Sequence, residues 1–268
     1  MIHRVIHLFH QKTARNWSML KKHRWYHQSQ SIVKKAFIYF LLIDGAFIFL
    51  LPVLYMLLLS FFTENDLVNT TIRWIPIHLY WQNYRTAFNL LSYPSSLMTT
   101  LMLTTVAVFG QTIFCGFAGY ALARLDFPGR KWIVGLVIFI LVIPNQAMVL
   151  PNYIFFFNLG LNRSTWPLIL PELLGNGLYS ALFIFVFRQV FSGIPKELED
   201  AAAIDGANLF KTFWVIAAPI AQNAYVTVGL FSFVLHWNEF IRPVNYLNIN
   251  SRPSTLALAL TYFSVVDP

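Results

Sequence analysis

The sequence predicts an all-α polytopic membrane protein, and three observations predict it. Hydrophobic residues make up 57% of the 268-residue chain, while charged residues make up only 11%, against about 25% in soluble domains. Several apolar stretches reach the roughly 20 residues that a helix needs to cross about 30 Å of hydrocarbon. The charges gather in the short breaks between those stretches, the distribution that membrane topology produces. The formal charge of +8 therefore reads as topology and not as an affinity for nucleic acid. A single cysteine, Cys115, excludes an internal disulfide, and its Gly- and Ala-rich surroundings suit a packed thiol.

Five spans are expected, in order 36–62, 95–123, 131–150, 166–187 and 221–240. The first follows a polar, basic leader (residues 1–35) and is too long for the apolar core of a signal peptide, so it reads as a retained span. Pro52, Pro144, Pro167 and Pro171 fall inside or near spans, where neighbouring helices can satisfy the freed carbonyls. The second span contains Gly110, Gly116, Ala118, Gly119 and Ala121, small residues that let helices approach closely in lipid. Asp44 lies about 12 Å into the first span if that span is helical. A carboxylate there costs about 2.5–3.5 kcal/mol, which a transport role or a polar neighbouring helix would offset.

Orientation follows from Lys and Arg. With the N-terminus inside, fourteen fall on the cytoplasmic side and five outside, so the positive-inside rule places the leader in the cytoplasm. His3, His7 and His10 share one helical face in that leader. No Cys or carboxylate completes a metal shell beside them, and the segment reads as one lying on anionic lipid.

Between the fourth and fifth spans runs ELEDAAAIDGANLFKTFWVIAAP, Glu197 to Pro219. It is unlike the spans that flank it. Pro195 suits a helix start, and Glu197, Glu199 and Asp200 favour the positive end of the helix dipole. Ala201, Ala202 and Ala203 keep that helix slim, so it can enter a groove on another protein. Gly206 after Asp205 ends it, and Asn208 can cap a second helix. Phe210, Phe213 and Trp214 suit the headgroup level, and Pro219 breaks this helix before the fifth span. The product is a finger beneath the membrane, joined stiffly to a transmembrane helix, so that a push on the finger would move the span.

The spacing Asp200-Ala201-Ala202, three residues, Gly206, nine residues, Ile216-Ala217-Ala218-Pro219 resembles the signature of binding-protein-dependent ABC importer permeases: E-A-A, three residues, G, nine residues, I-x-L-P. The form IPKELEDAAAIDGA is similar to the carbohydrate-uptake branch, the maltose-permease MalG type. YALARLDFPGRK (120–131), IPNQAMVLPNYIFFFNLGLNRSTWPLILP (143–171) and HWNEF (236–240) resemble other parts of that branch. Asp200 stands where the pattern has Glu, and Ala218 where it has Leu. The family's subunits of this type have six spans, and the chain stops after five, as if truncated.

The resemblance implies the transmembrane domain of a type I ABC importer over 36–268, with a coupling loop at 191–219. The chain would be a permease subunit of an ATP-driven sugar importer in the cytoplasmic membrane of a bacterium or archaeon, and not an enzyme. No G-x-x-x-x-G-K-[ST] loop is present, so ATP would be bound by a separate cytoplasmic ATPase dimer and the chain needs no cofactor. A second permease and an extracytoplasmic solute-binding protein complete the set implied. Glu197, Asp200, Ala201, Ala202, Asp205, Gly206, Ala207 and Pro219 would form the ATPase-coupling loop. Polar and aromatic residues suited to a sugar are Tyr179 on the fourth span and Asn223, Tyr225, Thr227, Ser232, Trp237, Asn238 and Glu239 on or near the fifth. A polar residue in a span is often only interhelical glue. A permease for another small solute and an inactive truncated subunit remain as alternatives. A membrane enzyme would need a catalytic cluster, and neither His-Glu metal spacing nor G-x-S-x-G occurs.

Overall fold

A computed structural model describes residues 34–68, 74–76, 78–177, 179–247 and 254–261. The histidine-rich leader up to residue 33, Arg73, Arg252 and the final residues 262–268 lie outside them. No strand occurs among the described residues. Two compact units divide the chain, Met1–Arg85 and Thr86–Pro268.

In the first unit, α1 (Lys34–Leu59) is apolar and long enough to cross a membrane, and it contains Asp44 and Pro52. A short α2 (Glu64–Val68) follows. Its start is a reciprocal cap: the Thr63 amide donates to the Asp66 carboxylate at 3.0 Å, and the Asp66 amide donates to the Thr63 hydroxyl at 3.2 Å. Asn83 donates to the Ser60 and Phe62 carbonyls, both at 2.9 Å. The boundary between the units falls within α3 (Gln82–Leu90).

The second unit is built around α4 (Tyr93–Arg124), a 32-residue helix. It packs against α7 (Trp166–Leu173), α8 (Ser180–Ser192) and α12 (Gln222–Trp237). Three of its glycines explain how one helix serves three neighbours. A Cβ on Gly110 would meet the Glu172 carbonyl oxygen of α7 at 2.9 Å, and one on Gly116 the Tyr225 hydroxyl of α12 at 2.5 Å. On Gly119 it would lie 2.5 Å from the Phe187 Cβ of α8 and 2.9 Å from the Arg188 amide nitrogen. Gly119→Val therefore has to push two backbones apart. It is expected to lower stability by about 1–3 kcal/mol, read as a lower Tm in detergent; an unchanged Tm would contradict this close crossing.

Two apolar clusters complete the unit. One joins Cys115, Tyr120, Phe183, Phe187, Phe191 and Phe213, and it holds the Cys115 thiol as packed core. The other joins Phe156, Leu168, Tyr246, Leu247 and Leu258.

Two of the expected spans have different shapes, and the fifth follows a bend as expected. The stretch 131–150 is α5 (Arg130–Val142), which ends before Pro144 and turns through 100° into a 3-10 turn and α6 (Val149–Asn158). Pro144 supplies no amide to continue the helix, and the residue before it is driven extended; Ile143 has ψ 122°. The stretch 166–187 is α7 and α8 separated by a turn. Gly175 at φ 65° and Tyr179 at φ 60° break the helix there, and α8 runs on to Ser192. Before the fifth stretch, the segment 209–220 meets α12 at 77°. Beyond α12 come α13 (Ile241–Tyr246) and α14 (Leu256–Ala259).

Candidate functional site

The finger begins with α9 (Lys196–Ile204), preceded by Pro195 in extended conformation. Proline thus sits one position before the first helical residue, and the carboxylates of Glu197 and Glu199 fill the first turn. The helix closes at Gly206, whose φ is +79°. The Gly206 amide donates to the Ala203 carbonyl at 3.1 Å and the Ala207 amide to the Ala202 carbonyl at 2.9 Å, a glycine-terminated C-cap. Asn208 starts α10 (Leu209–Thr212): its Oδ1 accepts from the Lys211 amide at 2.8 Å. A π-helical turn at Phe213–Ala217 and the short α11 (Ala218–Ile220), which contains Pro219, lead to the bend at Ala221.

Ala202 is the one buried alanine of the three; Ala201, Ala203, Asp200, Glu197, Asp205 and Gly206 are exposed. Ile204 is 87% exposed at the tip. Phe213 departs from its expected place among headgroups: it is buried, stacked on Phe117 at 4.6 Å between ring centres. Phe210 and Trp214 stay largely exposed.

The finger's anchor is invisible in the linear sequence. Arg124, the last residue of α4, donates to the Ile194 carbonyl, 70 positions along the chain. Its Nε lies 3.0 Å from Glu199 Oε1, with side-chain exposures of only 12% and 15%. Tyr120, one turn earlier on α4, lies near the same carboxylate. Arg130 stiffens this corner by donating to the Leu122 carbonyl at 2.9 Å and the Ala123 carbonyl at 2.8 Å, which are orphan groups at the C-terminus of α4.

A second polar construction lies inside the bundle. Arg242 of α13 donates from Nη1 to Glu172 Oε1 at 2.8 Å and from Nη2 to Glu239 Oε2 at 2.5 Å, while its Nε bonds Glu239 Oε1. His236 Nε2 is 3.2 Å from the Glu172 carboxylate, which is fully buried. The chain of contacts continues from His236 to Ser232, from the Ser232 hydroxyl to Gln111 Oε1 at 2.7 Å, and from Gln111 Nε2 to the Ser180 hydroxyl at 3.2 Å. A Cβ on Gly177 would fall 1.6 Å from Glu172 Oε2, so the carboxylate uses the space that a glycine leaves. Beside this network a cavity of about 20 Å³ is lined by Thr104, His236, Glu239, Arg242 and Thr255 among others. It has room for about one water and none for a sugar ring.

The residues suggested for a sugar path are not gathered at one place. Asn223 and Asn238 bracket α12, whose 16 residues span about 24 Å. Tyr225 lies against Gly116 and packs on Phe187 at 4.6 Å. Ser232 and Glu239 belong to the buried network, and Thr227 bonds the Asn223 carbonyl. Trp237 stacks on Phe233, Asn238 bonds the Val234 carbonyl, and Tyr179 is partly exposed at the start of α8. Among the described residues no group of His, Cys, Asp and Glu is arranged to hold a metal.

Residues 115–263 match the family described as binding-protein-dependent transport system inner membrane component. The chain belongs to that family. It is a transport permease of the membrane and not an enzyme, and the finger of α9 and Gly206 lies within the matched region. The arabinooligosaccharides transport system permease protein AraQ of Halalkalibacterium halodurans is 32% identical over 222 residues, 81% of this permease and 78% of the relative. The polygalacturonan/rhamnogalacturonan transport system permease protein YtcP of Bacillus subtilis is 29% identical, over 80% of this permease and 73% of the relative. The crystal structure of a bacterial ABC transporter that imports alginate superposes with a TM-score of 0.67 at 21% identity, over 83% of this permease and 75% of that chain. This likeness shows the type I importer fold.

Proposed function

We propose that this permease is one of two membrane subunits of an ATP-driven carbohydrate importer. The N-terminus and the finger lie in the cytoplasm, and the finger, residues 196–207 of a coupling loop spanning 191–219, docks in a cleft of a separate ATPase. The domain organisation proposed is a leader at 1–35 followed by a transmembrane domain from 36. The observation that carries the reading is the finger itself: a slim helix with exposed acids and an exposed Ile204 tip, closed by Gly206 at φ +79° and anchored to the central helix by Arg124. A solute-binding protein outside the membrane delivers the sugar. The carbohydrate class is supported by relatives that are named for arabinooligosaccharide and polygalacturonan/rhamnogalacturonan transport.

Mechanically, closure of the ATPase pair displaces the finger, and the bundle converts that displacement into alternating access. Such coupling requires a two-state element that nucleotide and substrate both bias. Tyr179, Asn223, Tyr225, Trp237, Asn238 and Glu239 remain the proposed sugar-path residues. Because Tyr225 and Glu239 already serve packing and the ion network, direct contact falls first to Tyr179, Asn223, Trp237 and Asn238.

The test is gentle detergent purification from native membranes with mass spectrometry of every associated chain, followed by uptake of a panel of labelled oligosaccharides. Co-purification of an ABC ATPase and a second permease, with uptake of at least one oligosaccharide that is lost with the ATPase, is the expected result. Uptake of amino acids or peptides in place of oligosaccharides would overturn the carbohydrate assignment.

A further inference from the structure

We infer that Arg124 is a positioning residue that makes the finger and α4 move as one body. The inference rests on the proposed docking of the finger and names the helix that answers when the finger is pushed. By covalent connection alone, the finger would act only on its two flanks. It leaves α8 through Gly193 and Ile194, and it reaches α10 through the Gly206 turn. Neither connection leads to α4, yet α4 is the helix that α7, α8 and α12 all pack against.

The Arg124 guanidinium closes that gap. It holds the finger at two points, the Ile194 carbonyl just before α9 and the Glu199 carboxylate in its first turn. An arginine fork can make both contacts in a fixed plane, which a lysine cannot. Both partners of the ion pair are nearly buried, where Coulomb attraction is less screened than at a surface. Arg130 fixes the last carbonyls of α4, so the base of the Arg124 side chain is itself held. Glu199 thereby faces inward, leaving Glu197 and Asp200 as the exposed acids of this turn.

The experiment measures the distance between spin labels at Ile204→Cys on the finger and Phe109→Cys on α4, in a Cys115→Ser background. The complex is held in lipid nanodiscs with its co-purified ATPase subunits, without nucleotide and with a non-hydrolysable ATP analogue. With Arg124 intact, one narrow distance is expected in both states. With Arg124→Gln, the distribution broadens without nucleotide and shifts by ~5 Å, about the rise of one helical turn, with the analogue. Arg124→Lys, which keeps the charge and loses the fork, gives an intermediate width. An Arg124→Gln distribution equal to the parent in both states overturns the inference. Loss of the ATPase from the parent complex would instead overturn the docking of the finger, and the nucleotide-free comparison would still read the Arg124 tie.

Discussion

Arg242→Met is expected to be the most destabilising single change in this permease, costing about 3–5 kcal/mol, the range for removing one partner of a buried ion pair. Arg242 stands between two carboxylates, Glu172 and Glu239, whose side chains are 0% and 12% exposed. Without the guanidinium, the Glu172 and Glu239 carboxylates lose the cation they share, while His236 Nε2 stays 3.2 Å from Glu172. The measurement is thermal unfolding in detergent, together with the amount of protein recovered from membranes. Glu172→Gln combined with Arg242→Met should recover part of the loss, because residues in direct contact are not additive. A Tm of Arg242→Met equal to the parent would show that the network contributes nothing to holding α7 against α13.

The second large effect is on transport and not on folding. Gly206 adopts φ +79°, and a Cβ there would meet nothing within 4 Å. A substitution therefore costs backbone strain alone, about 1–2 kcal/mol for an ordinary L-residue and more for a β-branched one. The strain can be relieved by swinging the end of α9, because the finger tip is exposed, without disturbing the buried clusters. Gly206→Val is expected to abolish carbohydrate uptake while the permease stays in the membrane at its normal level. Gly206→Asn, which tolerates the left-handed region, should retain a measurable rate. Normal uptake by Gly206→Val would remove this turn from the coupling path.

The finger was legible in the sequence because its determinants are local. Pro195, the acids of the first turn, three alanines, Gly206 and Asn208 each act on their own few residues, and each does so in the structure. The helical class was legible from composition and segment length, and the glycines of the second span do mark close packing. The shapes of the third and fourth spans were not. Hydropathy sums over a proline or a left-handed Tyr179 without registering the turn, so α7 and α8 merged into one expected span. The anchors were not legible for a different reason. Arg124 and Ile194, like Glu172 and Arg242, lie 70 positions apart, and no local pattern pairs them. Read alone, Glu199 looked like dipole compensation at a helix start; only the fold brings Arg124 and Tyr120 to it. Phe213 likewise carries the composition of an interfacial residue and is claimed by the core, because Phe117, Tyr120 and Phe191 offer it three ring contacts.

The central claim is that the finger is the contact through which ATP hydrolysis reaches this permease. A photoreactive amino acid at Ile204, which is 87% exposed, tests it most directly, in native membranes irradiated before solubilisation. The account predicts one dominant adduct, to a cytoplasmic chain that binds ATP, and its yield should change when nucleotide is supplied. Adducts confined to lipid, or to chains that bind no nucleotide, would contradict it.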